Sequence, residues 1–157
     1  MKQEDKELEI WKPIPIRYLS MALPFGVKLK KYNEDNSAVE LYSINLEHET
    51  IQYWSYKASS LQIGGYGHLI RHDKLQFKPY LRPLSSMTEQ ELEELNCLCY
   101  HHISVQDDML CGQICYIEIT DVQNFLLRYH FDFMGLIPKG LAIEVTEENN
   151  PYNITEE

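Results

Sequence analysis

The sequence predicts an α+β fold, in which a small, curved, antiparallel β-barrel-like (SH3-like) lobe precedes a helix-strand-helix-strand lobe. Three observations carry this expectation. Short segments of strand-period alternation recur between Gly26 and Lys78, each bounded by turn residues. Thr88 with Glu91 three positions on is the spacing of a capping box, so a helix is expected to start there. Charge also divides the chain: residues 1–87 carry twelve Lys/Arg against ten Asp/Glu, and residues 88–157 carry two against fourteen. At 157 residues the chain suits one ordinary domain or two small lobes sharing an interface.

Residues 1–12 read as a flexible, solvated arm. In "PIPIRYLSMALP" Pro13, Pro15 and Pro24 argue against helix and central strand alike, so this stretch is expected to be extended. "GVKLKKY" alternates Val27 and Leu29 with Lys28 and Lys30, and "NEDN" turns the chain into "SAVELYSINL". In that second strand Val39 and Leu41 share one parity while Ile44 and Leu46 share the other, which predicts a bulge near Tyr42 or Ser43 and a curved sheet. "EHET" leads into "IQYWSYKA", and "GGYG" separates it from "HLIRHDKLQF". Pro79 and Pro83 then make "PYLRPL" a rigid connector that closes a β-rich unit over 13–87.

The acidic unit over 88–146 opens with a helix from Glu89 to about His102, with Met87 and Leu92 at the positions of a hydrophobic staple. "SVQDDMLCG" reads as a loop and "QICYIEI" as a β-branched strand. Thr120 and Gln123 repeat the capping-box spacing ahead of a second helix, whose Val122, Phe125, Leu126 and Tyr129 fall on one face. "FMGLIPKG" is a turn, "LAIEV" a last strand, and residues 147–157 are expected to be a disordered tail.

Cys97, Cys99, His101, His102, Cys111 and Cys115 are the one cluster of ligand-capable types. Cys97 and Cys99 are two apart on a predicted helix, about 200° apart around its axis, which is wrong for a zinc knuckle. A metal set would have to be drawn from Cys97, His101, Cys111 and Cys115, against the plainer reading of structural thiols and surface histidines. The acidic surroundings oppose a thiolate nucleophile, and neither Ser85 nor Ser86 sits in a nucleophile-elbow context. No catalytic residue and no cofactor is assigned. Arg82, confined between prolines, is predicted to clasp Asp132, which ends the second helix. Trp54, Tyr56 and Tyr66 are the candidate binding surface, since amphipathic aromatics are enriched where proteins recognise partners.

"KPYLRPLSSMTEQELEEL" and "RYHFDFMGLIPKGLAIE" together resemble a family of small proteins from Bacteroides-type gut bacteria, their phages and integrated elements. The resemblance implies a phage or mobile-element setting in a bacterial cytoplasm and brings no activity, cofactor or catalytic residue with it. No run of about 20 apolar residues is present, so no membrane is expected, and "MKQEDKELEI" lacks the basic-then-apolar pattern of a signal peptide. The acidic half disfavours nucleic-acid binding and suits a protein partner. The function expected from these features is a non-catalytic interaction protein, an adaptor or inhibitor. The alternatives from other classes are an enzyme or metalloprotein using the 97–115 cluster, and an acidic nucleic-acid mimic. Oligomeric state is not legible.

Overall fold

The computed structural model describes residues 16–31, 38–45, 50–55, 67–71 and 77–153. Its elements run α1 (Ile16–Ala22), β1 (Lys28–Lys31), β2 (Ala38–Asn45), β3 (Thr50–Ser55), β4 (Gly67–Arg71), β5 (Phe77–Leu81), α2 (Glu89–Cys97), β6 (Ser104–Gln106), β7 (Met109–Cys111), α3 (Ile119–Arg128) and β8 (Ile143–Glu144). The fold is α+β. Six strands form one sheet in the order β4-β3-β2-β1-β5-β8, antiparallel except for the parallel β5–β8 pair, and β6 and β7 form a separate hairpin.

The strands do not close into the SH3-like barrel suggested by the sequence. Among the described residues β4 and β8 stand at opposite edges of an open sheet, because β8 arrives from the second half and occupies the outer side of β5. The expected curvature is present locally: the β2–β3 register shifts between Leu41 and Ser43, leaving Tyr42 as the extra residue. The shift keeps Ile44 packed on the same cluster as Val39 and Leu41 despite their opposite parity.

Alternation in β1 is as read, with Val27 and Leu29 buried and Lys28 and Lys30 half-buried. Lys28 faces Glu40 across the β1–β2 ladder and forms an ion pair with it. Residues 77–81, read as part of the β region and its connector, form β5, so Pro79 lies within a strand opposite Leu29. A proline is tolerated there because the outer ladder to β8 begins one position later, at Tyr80, and needs no donor from Pro79.

Three further expectations are corrected. The segment expected to be extended holds α1 instead, because Pro24 falls in the 3-10 turn Leu23–Phe25, after the helix has ended. Tyr18, Leu19 and Ala22 of α1 are buried against the sheet. The stretch 104–112, read as a loop, is the β6–β7 hairpin, whose two central residues Asp107 and Asp108 have φ of 49° and 55°, the signature of a tight primed turn. The tail is ordered through Asn153: Tyr152 donates its hydroxyl to the Tyr80 carbonyl (2.8 Å), accepts the Lys28 N–H (3.1 Å), and stacks on His130 with ring centroids 3.7 Å apart. The arm at 1–12, the turns at 33–36 and 47–49, and residues 64–66 of "GGYG" lie outside the described residues.

Buried side chains fall into two clusters. Leu19, Val27, Leu29, Val39, Phe77 and Leu81 centre the first, which α1 and the sheet share with Leu127, Leu136 and Ala142. The second holds Leu84, Leu95, Ile103, Val122, Phe125, Leu126 and Phe131. Helix α3 contributes to both, and Phe133 packs against both. No described helix is long and apolar enough to cross a membrane.

Candidate functional site

Helix α2 begins where the sequence places it. The Thr88 hydroxyl accepts the Glu91 N–H (3.2 Å) and the Glu91 carboxylate accepts the Thr88 N–H (2.9 Å), a complete capping box. It ends at Cys97, a turn and more before the expected His102. Asn96 terminates it: its side-chain amide donates to the carbonyls of Leu92 and Ile103 (both 2.9 Å), and its oxygen accepts the Ile103 N–H (2.7 Å). Residues 98–102 are thereby folded back into a short loop, and Ile103 is buried.

A second loop meets this one. The stretch expected to be a strand, "QICYIEI", is instead a turn over 116–118 that runs into α3, and Glu118 itself precedes the first residue of that helix. Thr120 and Gln123 consequently lie inside α3, and the capping box expected from them is absent. Strand alternation fails here because Glu118, at 4% exposure, turns inward. Its carboxylate accepts the Tyr100 N–H at 2.5 Å through one oxygen and the Cys115 N–H at 2.7 Å through the other. One buried carboxylate thus fastens the 98–102 loop to the 112–118 loop by charge-assisted bonds to backbone donors.

The fastened loops expose apolar side chains. Tyr116 is 91% exposed, Tyr100 76% and Ile117 69%, with Leu98 and Ile119 beside them in the chain. Soluble proteins seldom present so many large apolar groups on adjoining loops without a use for them. Sequence reasoning missed this surface because β-branched residues around Cys115 suggested a buried strand. The one signal against that reading was a glutamate, Glu118, one position before the end of the run.

The residues singled out from sequence are distributed otherwise. Cys97 ends α2 and is exposed, Cys111 lies on β7 opposite Ser104, and Cys115 sits on the Glu118 carboxylate through its backbone. Among the described residues no three of His, Cys, Asp and Glu converge to hold a metal ion, so Cys97, His101, Cys111 and Cys115 do not form the set considered. Burial raises the Cys99 thiol above its ordinary value, and the Glu118 carboxylate nearby raises it further. The Ser86 hydroxyl donates to the Pro83 carbonyl at 2.7 Å.

Arg82 and Asp132 are joined, though not by their side chains. The Arg82 N–H donates to the His130 carbonyl and the Asp132 N–H to the Arg82 carbonyl, each at 2.8 Å, a parallel bridge to Phe131 that follows directly on β5. The Arg82 guanidinium instead grips Glu91, N–O distances 2.8 and 2.9 Å, and lies 4.3 Å from the centroid of Phe131. The capping box holds Glu91 in place for this grip. Asp132 is consumed by its own turn, its two oxygens accepting the N–H groups of Leu136 (2.7 Å) and Ile137 (2.8 Å). Trp54 lies in β3 opposite Glu40 and Gly67, with its side chain outside the described residues, as are Tyr56 and Tyr66 entirely.

Comparison of this chain with protein-family models, with curated proteins and with solved structures finds no match.

Proposed function

We propose that this protein is a non-catalytic interaction protein, an adaptor or inhibitor, and that its working surface is the apolar patch of Tyr100, Tyr116 and Ile117. One observation carries the reading: these large side chains are exposed on two loops that a buried carboxylate ties together. A pre-fixed patch binds with less ordering cost than a flexible one, and tyrosine supplies contact area with few rotamers to freeze. Tyrosine and isoleucine side chains projecting into solvent gain about 25 cal/mol for each Å² a partner covers, which favours docking over solvation. The phage or mobile-element setting in a bacterial cytoplasm, implied by the two family-like motifs, is the context in which we place it.

The test is paired capture from host lysate with the intact chain and with a Tyr116→Ser/Ile117→Ser variant whose circular dichroism matches the parent. The intact chain is expected to retain one partner stoichiometrically and the variant to lose it. Equal retention by both would remove the patch from consideration.

A further inference from the structure

The exposed loops lie in the longest stretch of this chain that lacks cationic side chains. Between Arg82 and Arg128 there is no lysine or arginine, while eight carboxylates occur. Two of the eight are internal: Glu91 is paired with Arg82, and Glu118 is buried on the loop backbones. The others, Glu89, Glu93, Glu94, Asp107, Asp108 and Asp121, are exposed. Two of these stand close in the chain to the exposed apolar residues. Glu94 stands four positions before Leu98, the residue that caps α2, and accepts the Tyr129 hydroxyl at 2.8 Å. Asp121 lies in the first turn of α3, four positions after Ile117.

From exposed apolar side chains set in a stretch without lysine or arginine, with exposed carboxylates before and after them in the chain, we infer that the occupant is a basic protein surface, apolar at its middle and rimmed by lysine or arginine. This rests on the interaction reading above and names the partner class for the same patch. Charge decides between occupants. A second copy would set Glu94 and Asp121 against carboxylates of its own kind, and a nucleic acid would bring phosphates against them. A cationic rim is steered in and held in register by the same groups, while the tyrosines and Ile117 supply the desolvated centre.

The probe is a synthetic peptide of roughly 18 residues with leucine and lysine at helical spacing, so that one face is apolar and the rest cationic. Its companion replaces every lysine by glutamate. Each is titrated calorimetrically into the intact chain, Tyr116→Ser/Ile117→Ser and Glu94→Gln/Asp121→Asn, under one buffer condition at about neutral pH. The Leu/Lys peptide is expected to bind the intact chain and to lose about tenfold or more in affinity to each double variant, with weaker salt dependence in the Glu94/Asp121 variant. The Leu/Glu peptide is expected not to bind. If Tyr116/Ile117 matter and Glu94/Asp121 do not, or if both peptides bind equally, the patch stands and the basic partner falls. If neither pair matters, the patch falls as well. Sedimentation showing self-association abolished by Tyr116→Ser/Ile117→Ser would give the surface to a second copy and overturn the inference.

Discussion

Glu91 serves two neighbours at once, receiving both arms of the Arg82 fork while one of its oxygens also accepts the Thr88 N–H. Burial raises the Glu91 carboxyl, yet hydrogen bonds from Arg82 and from Thr88 outweigh this and hold it below the ordinary glutamate value. Its contribution to stability is therefore present above that value and lost as pH falls through the depressed one. Arg82→Met and Glu91→Gln should each cost on the order of 2 kcal/mol in urea unfolding, with the double variant costing little more than either, since each single change strands a partly buried partner. Simple addition of the two effects would show that the pair acts as independent surface charges. His130 offers a second test. It follows α3 at φ 59°, where its N–H and that of Phe131 reach back to the carbonyls of Leu127 and Leu126, a Schellman closure made without glycine. Burial under Tyr152 pushes its imidazole down to about 4, helped by the charges of Arg82 and Lys28. The unfolded chain then binds the extra proton between about pH 6.5 and 4, so stability should fall across that window by roughly 3 kcal/mol as pH is lowered. His130→Asn, which tolerates the same backbone and does not titrate, should flatten the profile there relative to the parent.

Local signals that act within a few residues were legible. The capping box at Thr88, the alternation of Val27 and Leu29, and the parity break at Tyr42 all describe what neighbouring residues do to one another, and the structure has all three. Thr88→Ala is expected to cost about 1 kcal/mol, measured by urea unfolding. Elements set by distant partners were not legible. Helix α1 is short and flanked by prolines, and packing of Tyr18, Leu19 and Ala22 on the sheet sustains it. The β6–β7 hairpin hid behind two aspartates that read as loop, although aspartate is among the few non-glycine residues that enter the left-handed region. Asp107→Val should therefore destabilise this hairpin by about 1 to 2 kcal/mol, whereas Asp107→Gly should not. The strand expected at 113–119 failed for a tertiary reason, the demand of Glu118 for the N–H groups of Tyr100 and Cys115. The same failure concealed the candidate site, of which sequence supplied the acidity but not the apolar surface.

Across the whole molecule the two hydrophobic clusters are coupled through α3, which sends Leu127 to one and Val122, Phe125 and Leu126 to the other. Unfolding is accordingly expected to be a single transition, with fluorescence and circular dichroism giving coincident curves. Tyr152 adds a long-range fastening that no local pattern announced, because its partners are Lys28, 124 positions earlier, and Tyr80, 72 positions earlier. Tyr152→Ala removes the His130 stack and both hydrogen bonds and should cost about 3 kcal/mol, near the lower range for losing a large buried ring. The same hydroxyl has a consequence for biosynthesis. A ribosome delivers Lys28 and Tyr80 long before residue 152, so the flank of the β1–β5 seam that the tyrosine covers stays open on the nascent chain, with its backbone groups hydrated and accessible to proteases. Closing it requires a contact between segments far apart in the chain, the kind of step that slows folding, and the protein completes its fold only once that late-arriving tyrosine has reached the sheet.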